Sequence, residues 1–182
     1  AGVNLSACVE KMTYKDFEWV MDIDFWGVGY GSKSFLPHIK NADWGHIVNI
    51  SSLFGLIGIP NQSAYNAAKF AVRGFSESLR MELEMDGSKV GVSSVHPGGV
   101  KTNIVNSSVM KETLGKQYTE KEMKNQFEQI ARTTPEQAAK DILRGIEKNQ
   151  PRVLVGLDAR IGDRIQRLMP TGYQKLVKMM TS

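Results

Sequence analysis

The stretch Gly45-His46-Ile47-Val48-Asn49-Ile50-Ser51-Ser52 decides the fold. Its centre, His46–Ile50, is a short apolar run bounded by a glycine and two serines, the pattern of a strand buried on both faces. Downstream the period changes. Ala64, Ala68, Ala71, Val72, Phe75, Leu79 and Leu83 lie on one helical stripe from about Ser63 to Met85, which Asp86-Gly87 ends. Lys89–Val95 reads as a second strand, closed by Pro97-Gly98-Gly99, and Arg152–Val155 as a third. Upstream, Thr13 with Asp16 caps a helix whose apolar positions Trp19, Ile23, Trp26 and Tyr30 run to a stop near Pro37. Thr119 and Glu122 form a capping box ahead of Met123, Phe127 and Ile130. Thr134-Pro135-Glu136-Gln137 opens another helix, with Pro at its first position. From Arg160 a C-terminal helix is interrupted at Pro170-Thr171-Gly172. Helices alternating with near-continuous apolar strands predict an α/β fold, a doubly wound parallel sheet in one domain over residues 1–182.

Composition narrows the function. With 182 residues, 41% hydrophobic and 23% charged, the chain is neither disordered, collagen-like nor a disulfide-stapled mini-protein. Lysine and arginine exceed aspartate and glutamate, 23 to 19, without forming a run, so no nucleic-acid or membrane patch is expected. The lone Cys8 has no intramolecular partner and favours a reducing compartment. The glycosylation-type triplets at Asn4, Asn49, Asn61 and Asn106 read as chance without a secretory signal. No apolar stretch approaches the ~20 residues that span a bilayer. His38, His46 and His96 lack metal-ligand spacing, and no metal is expected.

Tyr65-Asn66-Ala67-Ala68-Lys69 places a phenol and an ammonium at i and i+4 on one helical face. A cation beside a phenol favours the phenolate, which equips a tyrosine to trade a proton with an alcohol or carbonyl. The same pattern also suits an ordinary amphipathic helix with a surface lysine. Ser52 ends the first strand, 13 residues before Tyr65, where open α/β sheets place their ligand crevice. Its hydroxyl there either polarises a substrate oxygen or caps a turn.

The chain resembles the short-chain dehydrogenase/reductase family. The resemblance runs through Ala1-Gly2, similar to the tail of an Asn-Asn-Ala-Gly segment, the Gly45–Ser52 stretch, the Tyr65–Lys69 motif and Pro97-Gly98-Gly99-Val100-Lys101-Thr102. It implies a Rossmann-like domain and hydride transfer between NAD or NADP and an alcohol/carbonyl pair. By position it makes Tyr65 the general acid/base and lets Ser52 hold the substrate oxygen. Lys69 would lower the Tyr65 pKa and bond the nicotinamide ribose. Gly2 and the Pro97–Thr102 loop would contact the cofactor, the loop through Gly98, the Val100 backbone and the Thr102 hydroxyl. It also implies a cytoplasmic homo-dimer or homo-tetramer, with Trp19 and Trp26 either in the core or in the interface.

Two departures stand out. The family's active-site asparagine position, counted from the serine, is Asp24, with Asp22 the alternative if the alignment slips. A carboxylate there pairs with Lys69 or takes up a proton, and pairing weakens the effect of Lys69 on Tyr65. The family's Gly-rich pyrophosphate turn is absent, so the chain reads as the C-terminal two-thirds of a domain whose N-terminal third lies upstream of Ala1. Residues 103–134 fall where the family has a substrate lid, and Met110, Met123 and Phe127 suit either an apolar ligand or plain lid packing. Against the enzyme stands a second class, a catalytically silent binding or scaffold protein. Intact Ser52, Tyr65 and Lys69 favour the enzyme, whereas Asp24 favours decay.

Overall fold

The computed structural model describes residues 2–104, 108–114 and 119–181. Ala1, Asn106 and the side chain of Met123 lie outside the described residues. Three parallel strands form the main sheet in the order β2 (Gly45–Ile50), β3 (Val90–Pro97), β5 (Arg152–Val155). Ile47 stands opposite Val92 on β3, and Val95 opposite Val153 on β5. Because side chains alternate across a strand, each strand feeds two cores. On one face Ile47, Val90 and Val92 pack with Leu79 and Leu83 of α3 (Ser63–Met85) and with Leu36 and Ile39 of α2 (Gly27–Lys40). On the other, Val95, Val153 and Val155 pack with Ala138 of α5 (Pro135–Glu147), joined by Val48. Helices on both faces of a parallel sheet make the fold α/β and doubly wound. A third cluster of Leu5, Ala7, Val20, Ala64, Tyr65 and Ala68 gathers at the N-terminal end of α3.

The capping signals work as expected. Thr13 and Asp16 cap α1 (Tyr14–Met21) reciprocally, and Thr119 and Glu122 do the same for α4 (Glu120–Ile130). Thr134 accepts from Gln137 N, with Pro135 at the first position of α5. Elsewhere the structure corrects the reading. The helix expected to stop near Pro37 continues to Lys40, because Pro37 falls in the last turn and removes only one backbone donor. The same helix is not uniform, since a π-helical segment, Asp22–Trp26, separates α1 from α2. Trp26 and Tyr30, placed on the apolar stripe, are 45% and 64% exposed and stack on each other at 5.4 Å. Two short strands, β1 (Asn4–Ser6) and β4 (Ser108–Met110), pair in parallel outside the main sheet; three residues carry no readable period. β3 starts one residue after Lys89, and α6 (Leu157–Leu168) three before Arg160. The interruption at Pro170–Gly172 stands, separating α6 from α7 (Tyr173–Thr181). Among the described residues no helix is long and apolar enough to cross a membrane.

Candidate active site

The C-terminal ends of β2 and β3 lie side by side, and the chain leaving each strand forms the floor of a cleft of about 1110 Å³. Gly2, Asp24, Ser52, Tyr65, Lys69, Pro97, Gly98, Val100 and Thr102 all line it. Every residue assigned a catalytic or cofactor role from the sequence therefore meets in one place.

Ser52 follows β2 in extended conformation and begins the single turn Leu53–Gly55, its Oγ accepting from Phe54 N at 3.1 Å. The cap reading of this serine is thus correct, and Ser52 lines the same cleft as Tyr65. The carbonyl of Ser52 is held too. Buried His96, at the end of β3, lies with Nδ1 2.9 Å from Ser52 O and Nε2 2.9 Å from Ser94 Oγ. A carbonyl only accepts, so Nδ1 carries the proton and Nε2 accepts from the serine. Burial pushes the imidazole down to about 4, which keeps it neutral and fixed in that tautomer. Sequence reasoning tested His96 only as a metal ligand and missed this role. The available signal was a polar ring in an otherwise apolar strand directly before Pro97-Gly98.

Tyr65 is buried in the first turns of α3, its ring edge-on to Phe54 at 6.1 Å. One turn on, Lys69 is 6% exposed, with Nζ 5.4 Å from the Tyr65 ring centroid. Lys69 donates to Asp24 Oδ1 at 3.2 Å and to Ile50 O at 3.4 Å. The π-helical segment brings Asp24 inward, 1% exposed, while Asp22 stays exposed, so Asp24 is the carboxylate that meets Lys69. Asp24 Oδ1 also accepts from Val3 N at 3.4 Å, whereas Oδ2 has no hydrogen-bond partner. Burial raises the Asp24 pKa against the opposing pull of Lys69.

The phenol corrects one expectation. Instead of being lowered by Lys69, the Tyr65 pKa is pushed up to about 12, first by burial, with the Asp24 charge adding to it and the Ser52 hydrogen bond opposing. The lysine cation is engaged by the carboxylate.

Buried polar contacts tie the strands and helices that carry these groups. Ser32 Oγ of α2 donates to Asn49 Oδ1 at 3.2 Å, and Asn49 Nδ2 donates to Ser76 Oγ of α3 at 3.0 Å. Ser51 Oγ donates to Lys69 O at 2.8 Å, pinning α3 to the end of β2. Among the described residues no group of three or more His, Cys, Asp or Glu is placed to hold a metal ion.

Residues 1–113 match the short chain dehydrogenase family. The chain belongs to that family. One family relative, the Mycobacterium tuberculosis protein SadH, is 49% identical over 177 residues, covering 97% of this chain and 63% of the relative. The C alpha-dehydrogenase of a Sphingobium species is 34% identical over 185 residues, covering 93% and 59%. Among solved structures, a short chain dehydrogenase/reductase from Burkholderia phymatum in complex with NAD superposes with a TM-score of 0.78 at 25% identity. That superposition covers 93% of this chain and 63% of the other. The chain thus spans somewhat less than two-thirds of the family relatives it matches.

Proposed function

We propose that this chain carries the proton-transfer site of an NAD- or NADP-dependent oxidoreductase that interconverts an alcohol and a carbonyl compound. The observation that carries the reading is that Ser52, the buried Tyr65 and Lys69, one helical turn on, meet in the lining of a single cleft. The related Burkholderia structure, solved with NAD, supports the choice of cofactor class.

The residues present fit a nicotinamide dinucleotide. Lys69 has three N–H donors and spends two on Asp24 and Ile50, leaving one for a ribose hydroxyl. Asp24 Oδ2 is a buried acceptor without a donor. Gly2, the Pro97–Gly98 turn, Val100 and Thr102 border the same cleft, so the backbone of Val100 and the hydroxyl of Thr102 would hold the carboxamide. The chemistry that a bound cofactor supplies here is hydride exchange with the substrate carbon.

The chain's own groups handle the proton. Ser52 donates to the substrate oxygen and polarises it. Tyr65, protonated at neutral pH because its pKa is about 12, delivers its proton to that oxygen as negative charge develops. In the reverse direction the phenolate removes the alcohol proton, a state that burial and Asp24 disfavour. At neutral pH the phenol is therefore in the protonation state that carbonyl reduction uses.

The exposed Trp26, at the end of the π-helical segment, with Tyr30 and Phe35 of α2 supports self-association as a homo-dimer or homo-tetramer, which size-exclusion chromatography with light scattering measures. The test of function is a spectrophotometric screen of NADH and NADPH oxidation with ketones and aldehydes, using enzyme from the complete reading frame. Turnover that Ser52→Ala abolishes supports the reading. Cofactor binding with no turnover on any carbonyl class would instead favour the silent binding protein, for which the Asp24–Lys69 pair is the supporting observation.

A further inference from the structure

The carboxylate of Asp158 reaches from the first turn of α6 into the loop that follows β3. Its Oδ2 accepts from Gly99 N at 2.5 Å, while Oδ1 accepts from Ala159 N at 3.0 Å within the first turn of its own helix. The helix N-terminus favours negative charge at this position. A bond from a backbone N–H to a carboxylate belongs to the stronger class of hydrogen bonds.

The loop is held elsewhere by main chain. Gly98 N donates to Val155 O at 3.0 Å, Thr133 N to Gly99 O at 3.2 Å, and Lys101 N to Thr133 O at 3.0 Å. Val100 and Thr133 form an isolated parallel bridge. Asp158 adds a side-chain tie on the remaining side, and the space that a Cβ on Gly98 would fill is occupied by its carboxylate. Asp158 also lines the cleft, together with Gly98, Val100 and Thr102.

We propose that Asp158 is a positioning residue for the reaction: by tying Gly99 N to α6 it sets the Pro97–Thr102 loop where Val100 and Thr102 meet the cofactor. Gly98 is then a glycine because any side chain there displaces the Asp158 carboxylate. The inference rests on the reading of this loop as part of the cofactor site.

The consequence is a specific pattern of non-additivity. Asp158→Ala removes the tie directly. Gly98→Ala leaves Asp158 in place but pushes its carboxylate, the free end of a flexible side chain, off Gly99 N. Each single variant therefore breaks the same contact, and the double variant has nothing further to lose. Asp158→Asn keeps an acceptor oxygen and restores much of what Asp158→Ala removes.

The experiment uses enzyme from the complete reading frame, with fluorescence titration of NADH and NADPH, steady-state kinetics, and amide hydrogen exchange at Gly99 without cofactor. Expected are loss of Gly99 protection in Asp158→Ala and Gly98→Ala, and a cofactor Kd and KM raised by about 10- to 100-fold, the weight of a charged hydrogen bond. The double variant should match either single, and Asp158→Asn should recover to within a few-fold of the parent. A cofactor Kd within twofold of the parent in Asp158→Ala, or single effects that multiply in the double, overturns the proposal. So does a lowered Tm with Gly99 protection and cofactor Kd unmoved, which marks a purely structural role. If Asp158→Ala does not fold, Gly98→Ala and Asp158→Asn carry the same comparison at Gly99. Tyr65→Phe runs in parallel. If it retains full turnover the proton-transfer role of Tyr65 in the proposed function fails, whereas its loss of turnover beside a silent Asp158→Ala removes only the Asp158 proposal.

Discussion

Replacing Asp24 by asparagine separates the two claims on Lys69. At 3.2 Å the Lys69–Asp24 attraction is about 5 kcal/mol at an effective dielectric constant of ~20. Taking the 5.4 Å from Lys69 Nζ to the Tyr65 ring centroid as the charge separation, the same cation would stabilise a phenolate by about 3 kcal/mol. The carboxylate therefore wins the lysine, consistent with a phenol pKa of about 12. The asparagine side chain would keep an acceptor for Lys69 Nζ and supply a new amide donor, but no charge. The cation then acts on Tyr65, and the Asp24 charge that raises the phenol is gone. At 1.36 kcal/mol per pH unit, about 3 kcal/mol corresponds to about two units. The phenolate limb of the pH profile for alcohol oxidation should therefore move one to two pH units lower. Below that limb, oxidation at a fixed pH gains about 10- to 100-fold, because the phenolate fraction rises tenfold per unit. Carbonyl reduction near neutral pH, which uses the protonated phenol, should change little. The assay is kcat against pH in both directions at saturating cofactor for parent and Asp24→Asn. An unmoved oxidation limb, or a shift to higher pH, refutes the argument that Asp24 withholds Lys69 from Tyr65. A large loss of activity in both directions shows that the carboxylate itself takes part in the reaction.

Tyr65→Phe keeps the ring against Phe54 and removes the transferable proton, so kcat should fall by about 10²–10⁴-fold with cofactor Kd nearly unchanged, as read by turnover and titration. Lys69→Ala strands a buried carboxylate, and the loss of one partner of a buried pair costs about 3–5 kcal/mol, visible in urea melts. Since burial already raises the Asp24 pKa, that cost should be largest at neutral pH and shrink as pH falls and Asp24 takes up a proton; a pH-independent loss would contradict the assignment. Gly55→Ala should destabilise by roughly 1–3 kcal/mol, because its Cβ would lie 2.7 Å from the backbone oxygen of Lys69, where α3 cannot yield without moving the site. An unchanged melt for Gly55→Ala would show that the turn after Ser52 relaxes freely.

The strands β2, β3 and β5 were legible because each is buried on both faces and reads as an apolar run. Helix α3 was legible for the complementary reason, a stripe at 3.6-residue spacing closed by Asp-Gly. The caps of α1, α4 and α5 depend on residues three apart, and such local chemistry survives translation into structure. β1 and β4 were invisible because they pair across more than half the chain and each is three residues long. The π-helical segment was invisible too: nothing in the spacing of Trp19, Ile23 and Trp26 reveals that the helix widens at Asp22–Trp26.

For the site, the division falls between identity and state. The sequence alone determined which side chains are proposed to carry the chemistry, since Ser52, Tyr65 and Lys69 are set by one strand end and one helix face, and short-range geometry brings them into one cleft. Tertiary structure decided what those side chains do to one another. Asp24, 45 residues before Lys69, reaches it only because the helix bulges inward. His96 and Asp158 reach Ser52 and Gly99 only across neighbouring strands and helix ends. Protonation depends on burial and on charges a few ångströms away, and both are properties of packing between distant segments, so no local pattern of residues encodes them.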